Sequence, residues 1–335
     1  RSLGMCVNVE DDQVTVVNSG VLTNHTNFDL SQKSRYSILS AGCLAGRNGV
    51  AKVHTPGGCR FETCRPIDIH LAGLSALGCD ITQENGGLLI RSTPHVASLP
   101  FVLPFQSVGA TLNLVFYLIA SGKGGSLLNC ALEPEVCTVF QFLNACGAKI
   151  SGIGTKTLEI APSGELKGQE WFVISDRIEA GTYALFSVLH RKNITLGPVN
   201  KEHIQSLIKV FDEINVPTLF DGASSSISIL SAEMGMSSPV EIVTGVYPGF
   251  PTDLQPLFVA TALALPFPTR ITETVTMGRF GFVSELRKLG ADIIVSGDTA
   301  EINPKASLRP FLLTCPDIRG GMACIFGSSK VMDPC

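Results

Sequence analysis

Apolar residues three and four apart, then a glycine, then two short alternating runs around a turn form a pattern that recurs along the chain. It is read in LSALGCDITQENGGLLI (74–90), FLNACGAKISGIGTKTLEI (142–160) and ELRKLGADIIVSGDTAEI (285–302). The helical spacing predicts a helix, the glycine its end, and the alternation a pair of half-buried strands. LIKVFDEINVPTLFDGASSSISI (207–229) repeats the pattern without the glycine, and LGMCVNVEDDQVTVV (3–17) is a beheaded copy.

A second helix type lies between these copies, rich in small residues and opening on a polar cap. Its copies are SRYSILSAG (34–42), SVGATLNLVFYLIASG (107–122), SDRIEAGTYALFSVL (175–189), TDLQPLFVATALA (252–264) and DIRGGMACIFG (317–327). Asp176 with Glu179, and Thr252 with Gln255, have the spacing of capping boxes. The starts recur about every seventy residues, so the chain reads as a repeated helix–strand–helix–strand–strand unit. The expected fold is α/β in two domains, residues 1–174 and 175–335. The chain opens on Arg1, and no Leu-Gly helix follows the fifth small-residue helix. The first domain is therefore expected to lack its N-terminal part and the second its C-terminal unit.

Composition agrees with packed cores: 335 residues, 45% hydrophobic and 16% charged. A net charge of −4 without a lysine- or arginine-rich run argues against nucleic acid or an anionic membrane as partner. The eleven cysteines lack framework spacing and read as reduced cytosolic thiols. The most apolar runs, near 112–120 and 256–268, are too short or interrupted to span a bilayer. The sequons at Asn24 and Asn193 read as chance matches.

Candidate chemistry concentrates at helix starts, where free N–H groups bind anions. Arg35, Arg177 and Arg319 fall in the first turns of small-residue helices, and Arg65 precedes Pro66, a good first helical residue. Arginines set against the helix dipole suggest a multiply charged ligand; surface ion pairing is the alternative. In HTPGGCRFETCRPIDIH (54–70), Cys59 follows two glycines, and Arg60 and Arg65 favour its thiolate. A helix from Pro66 places Ile67, Leu71, Leu74 and Leu77 on one face. His54, Cys59, Cys64 and His70 also compose a loose zinc-like spacing, weakened by the absence of a second cysteine pair. Asp253, in YPGFPTDLQ (247–255), suits the helix dipole and is a general-base candidate if a hydroxyl comes within reach.

Taken together, PGGC (56–59), RPIDIH (65–70), SVGAT (107–111), DRIEAGT (176–182), YPGFPTDLQ, ITETV with RF (271–280) and DIR (317–319) resemble the UDP-N-acetylglucosamine enolpyruvyl transferases. The likeness runs over about residues 3–327. It implies two inside-out α/β barrels of three repeats each, with helix N-termini facing the cleft between them. It implies transfer of the enolpyruvyl group of phosphoenolpyruvate to the 3′-hydroxyl of UDP-N-acetylglucosamine with release of phosphate, the first committed step toward peptidoglycan. The enzyme is expected to be a cytoplasmic monomer without metal or cofactor. By position, Cys59 resembles the general acid and fosfomycin target, Asp253 the base, and Arg35, Arg65 and Arg319 the arginines around phosphoenolpyruvate. Pro66, Ile67, Asp68 and Ile69, with Arg65, Ser107, Val108, Gly109 and Val275, fall where the family holds the UDP-sugar; Arg279 resembles an arginine of the closing cleft.

The chain departs from the family in four places. An N-terminal lysine-asparagine segment is missing, SSKVMDPC (328–335) stands in place of an arginine-bearing C-terminal unit, the Cys59–Arg65 loop is one residue longer, and Phe105-Gln106 replaces a basic residue before SVGAT. These departures keep a second expectation open, an inactive paralogue or fragment that binds UDP-sugar without turnover. The shikimate-type reaction is disfavoured by the cysteine loop and the RPID motif.

Overall fold

A computed structural model of the chain describes residues 2–18, 23–57, 67–84, 86–94, 100–235, 239–304, 307–315 and 317–332. It divides into two compact units that adjoin in sequence at Phe172 and Val173.

The first unit opens with an antiparallel ribbon, β1 (Cys6–Glu10) and β2 (Gln13–Val17), whose Val9, Val14, Val16 and Val17 are each more than half exposed. A short helix, α1 (Phe28–Lys33), is capped by Asn27 and leads into a 3-10 turn over Arg35–Leu39. Next come α2 (Ser40–Asn48), β3 (Val50–His54), α3 (Asp68–Ala76), β4 (Cys79–Glu84) and β5 (Gly87–Ser92), in sheet order β3-β5-β4. The following copy holds β6 (Phe101–Val102), α4 (Val108–Ser121), β7 (Gly125–Leu128), α5 (Pro134–Ala145), β8 (Lys149–Ser151) and β9 (Thr157–Ala161), in order β6-β7-β9-β8.

The second unit repeats the scheme. It runs α6 (Arg177–His190), β10 (Ile194–Leu196), α7 (Gln205–Glu213), β11 (Thr218–Asp221) and β12 (Ser226–Ile229), with order β10-β12-β11. Then come β13 (Val240–Val243), α8 (Gln255–Ala262), β14 (Thr269–Thr272), α9 (Val283–Lys288), β15 (Asp292–Ser296) and β16 (Thr299–Asn303), with order β13-β14-β16-β15. Helix α10 (Ile318–Met332) closes the described chain.

Small residues explain why helices form the centre of each unit. Residues 110–115 of α4 and all eight residues of α8 are buried, so these helices are enclosed on every side. Helix α2 approaches α4 through glycine: a Cβ at Gly46 would stand 2.8 Å from the carbonyl oxygen of Tyr117. Strands such as β4 and β11 keep an exposed face outside these helices. Each unit thus has helices inside and sheets outside, the inside-out arrangement, and no sheet closes on itself among the described residues. No described helix is long and apolar enough to cross a membrane.

Three details correct the sequence reading. The second and fourth copies carry a leading strand that the pattern missed, β6 and β13, paired parallel to β7 and β14. Strand β6 is two residues between Pro100 and Pro104, too short to alternate. Helix α3 starts at Asp68; Leu74 and Leu77 are fully buried and Ile67 packs on the core as expected, but Leu71 is only half-buried and His70 and Gly73 share the buried face. Asp176 does cap α6, accepting from the Ile178 and Glu179 N–H groups. The Thr252–Gln255 box does not form, because Thr252 bonds to Glu273 and Gln255 is fully buried. In the fifth small-residue helix Arg319 lies one residue inside α10, as the sequence reading had it.

Candidate active site

Cys59, Arg65 and Pro66 lie outside the described residues. The remaining candidates fall into two clusters, one in each unit.

In the first unit the starts of α3 and α4 come together. Ser107 caps α4, its Oγ accepting from the Ala110 N–H at 3.3 Å, and Val108 and Gly109 form the first turn. Ile67 immediately precedes α3, Asp68 is exposed in its first turn, and Ile69 packs against the core. A Cβ at Gly109 would lie 3.0 Å from Cε1 and 3.1 Å from Nε2 of His70, so glycine sets how closely α4 meets α3. His70 is 4% exposed. Burial, reinforced by the nearby Arg35 guanidinium and only partly countered by Asp68, takes its pKa down to about 4, so the imidazole is neutral at pH 7. Arg35, Asp68, Gly109 and His70 are thereby brought together. Asn113 Nδ2 lies 3.0 Å from His70 Nδ1, which removes that nitrogen from the zinc-like reading. Cys59 and Cys64 of that reading lie outside the described residues, and no group of three or more potential ligands gathers among the described ones.

In the second unit Asp253, Arg279 and Arg319 form one charged knot. Arg279 Nη2 donates to Asp253 Oδ1 at 2.8 Å, and Arg319 Nη2 donates to Oδ2 at 3.2 Å. Burial works to raise the Asp253 pKa, but the two guanidinium groups outweigh it and hold the carboxyl below its ordinary value. The carboxylate is therefore ionised at neutral pH, and at 39% exposure its side chain can be reached by a ligand. Arg279 itself is 5% exposed, and its Nη1 donates to Thr252 Oγ1 at 2.7 Å.

Behind this knot stands Glu273, 1% exposed, which the sequence reading did not single out. Its Oε1 accepts from Thr244 Oγ1 at 2.9 Å and from the Val275 and Thr276 N–H groups at 2.8 Å each; Oε2 accepts from Thr252 Oγ1 at 2.8 Å. Because Thr252 spends its proton on Glu273, its lone pairs are left for Arg279. Val275 is thus pinned beside the knot through its backbone. Arg177, in the first turn of α6, instead stacks its guanidinium over the Tyr247 ring, 5.5 Å from the centroid. A signal for Glu273 was present: Thr269, Ile271 and Glu273 alternate inward along β14 and its extension, and a carboxylate at an inward position demands partners.

Comparison with known proteins gives this arrangement its lineage. The sequence matches the EPSP synthase (3-phosphoshikimate 1-carboxyvinyltransferase) family over residues 1–331. It is 37% identical to a UDP-N-acetylglucosamine 1-carboxyvinyltransferase of Kosmotoga olearia, covering 95% of this chain and 75% of that protein. It is 35% identical to the corresponding protein of Gluconacetobacter diazotrophicus, over 95% and 74%. The fold resembles the enolpyruvyl transferase NikO from Streptomyces tendae, with a TM-score of 0.80 at 19% identity over 97% of this chain and 77% of that one. It also resembles EPSP synthase from Acinetobacter baumannii, with a TM-score of 0.67 at 14% identity over 98% and 79%. A chain with these repeats, this arginine–aspartate knot and such relatives belongs to the UDP-N-acetylglucosamine 1-carboxyvinyltransferases, within the EPSP synthase family.

Proposed function

We propose that this protein transfers the enolpyruvyl group of phosphoenolpyruvate to the 3′-hydroxyl of UDP-N-acetylglucosamine, releasing phosphate, in the cytoplasm and on the route to peptidoglycan. The hydroxyl oxygen bonds to C2 of phosphoenolpyruvate while a proton is added to C3, giving a tetrahedral ketal that still carries phosphate. Loss of a C3 proton and departure of phosphate then restore the double bond as an enolpyruvyl ether. Asp253 takes the hydroxyl proton, and Cys59 delivers the proton to C3. Arg279 and Arg319 hold Asp253 in place and offer positive charge to the phosphorylated intermediate, where preorganised donors lower the barrier most. Arg35 and Arg65 serve the phosphoenolpyruvate anion. Ile67, Asp68 and Ile69, with Ser107, Val108 and Gly109, receive the sugar nucleotide.

The observation that carries this reading is the bidentate clasp of Asp253 by two arginines: the carboxylate stays ionised and its two oxygens stay oriented. The test is phosphate release from phosphoenolpyruvate that depends on UDP-N-acetylglucosamine. Asp253→Asn is expected to lower kcat by roughly 10²–10⁴, the usual contribution of a general base, and Cys59→Ser to abolish turnover. A well-folded protein that releases no phosphate with both substrates present refutes the proposal.

A further inference from the structure

The buried contact among α2, α3 and α4 fixes more than packing. Gly42 lies in the first turn of α2, where the backbone N–H has no acceptor within the helix. That N–H donates to Asn113 Oδ1 at 2.7 Å. A backbone N–H only donates, so the oxygen end of the Asn113 amide must face Gly42. The nitrogen end then faces His70 Nδ1 at 3.0 Å, and because an amide nitrogen also only donates, Nδ1 must accept. The ring proton therefore sits on Nε2. Asn113 is fully buried and His70 nearly so, and a reversed amide would set its Nδ2 donor against the Gly42 N–H.

The Nε2 edge of the ring faces the first turn of α4 at Gly109. Among the described residues nothing accepts from Nε2. Gly42 is itself required by the arrangement, because a Cβ there would clash with the Asn113 carbonyl oxygen.

We propose that Asn113 is a positioning residue: working from the Gly42 N–H, it fixes His70 as the neutral Nε2–H tautomer, and that N–H donates to an oxygen of the ligand seated at the start of α4. On the function proposed above, the ligand is UDP-N-acetylglucosamine, and the acceptor is a diphosphate or a uracil carbonyl oxygen.

Imidazole nitrogen NMR of the whole protein tests the lock directly. Wild-type His70 is expected to show Nε2 protonated and Nδ1 bare, with no titration between pH 8 and pH 6. Adding UDP-N-acetylglucosamine is expected to move the Nε2–H signal while Nδ1 stays unprotonated. Separate titrations with uridine and with inorganic phosphate distinguish the two acceptors. Asn113→Asp gives the functional readout. The carboxylate still accepts from Gly42, but it can only accept from Nδ1 as well, so the ring proton moves to Nδ1 and Nε2 becomes bare at pH 8. Nucleotide-sugar affinity is then expected to fall about tenfold, as for one lost hydrogen bond. It is expected to recover as the pH drops and the ring gains a second proton, with Arg35 and Asp68 the other described charges acting on it. Wild type is expected to show no such recovery. A His70 with Nδ1 protonated, or with mixed tautomers, overturns the lock whatever the ligand. Calorimetric binding of the sugar nucleotide without movement of Nε2–H overturns the contact. Absence of any binding instead removes the proposed function and, with it, the named ligand. If Asn113→Asp fails to fold, the wild-type spectra decide alone.

Discussion

Replacing Glu273 by glutamine tests whether this buried carboxylate organises the arginine–aspartate knot. All four of its partners are donors: two threonine hydroxyls and two backbone N–H groups. Glutamine keeps one oxygen, which serves the three donors now on Oε1, and turns an NH₂ toward Thr252. That hydroxyl must then swing its proton away, and it accepts from the amide and from Arg279 together. Bonds to a charged acceptor contribute about 1.5–3 kcal/mol against about 1 kcal/mol for neutral ones. Three bonds weakened by about 0.7 kcal/mol each, with the Thr252 proton left only its long 3.4 Å contact to Thr276 Oγ1 at a cost of about 1 kcal/mol, give a loss of about 3 kcal/mol. Relief from burying a charge offsets part of this, leaving about 2 kcal/mol. With a urea slope of about 2 kcal/mol per molar, the unfolding midpoint of the second unit falls by about 1 M. Urea titration by circular dichroism measures the shift, and hydrogen exchange at the Val275 and Thr276 amides localises it. A midpoint within about 0.25 M of wild type, with unaltered exchange at both amides, refutes the organising role.

Other consequences are checked more simply. Gly42→Ala forces α2 away from α4 and is expected to cost about 1–3 kcal/mol by overpacking, read as a lower urea midpoint for the first unit. The depressed Asp253 pKa contributes stability that is complete above the unfolded carboxylate value near pH 4 and is lost as the pH falls through the folded value. Acid titrations should therefore show a shallower loss below pH ~4 in Asp253→Asn than in wild type. Among the described cysteines, iodoacetamide is expected to label exposed Cys6 and Cys315 in the native protein. It should spare Cys130 and Cys324, whose thiols burial pushes up to about 12 and about 11; peptide mass mapping reads the difference.

The repeat was legible because helix and strand periodicities alternate strictly in copies such as 74–90 and 285–302. The leading strands were not, since Phe101–Val102 is too short to alternate and Val240–Val243 belongs to neither helical pattern. Helix starts drew attention to Arg319 and Asp253, but sequence spacing carries no information on partners 26 and 66 residues away, the separations that join Asp253 to Arg279 and to Arg319. Asn113 left a faint trace as a lone amide within the apolar run LNLVF. The link from that amide to a glycine N–H and to an imidazole depends on three helices meeting, which no local pattern encodes.

The β1–β2 ribbon carries a liability of its own. Its strands pair with no other described strand, and Val9, Val14, Val16 and Val17 form an exposed apolar surface. Glu10, Asp11 and Asp12 set negative charge at the turn, which opposes the approach of like-charged neighbours. Salt screens that repulsion without altering the valine surface, so concentrating the protein at high ionic strength favours self-association at this ribbon.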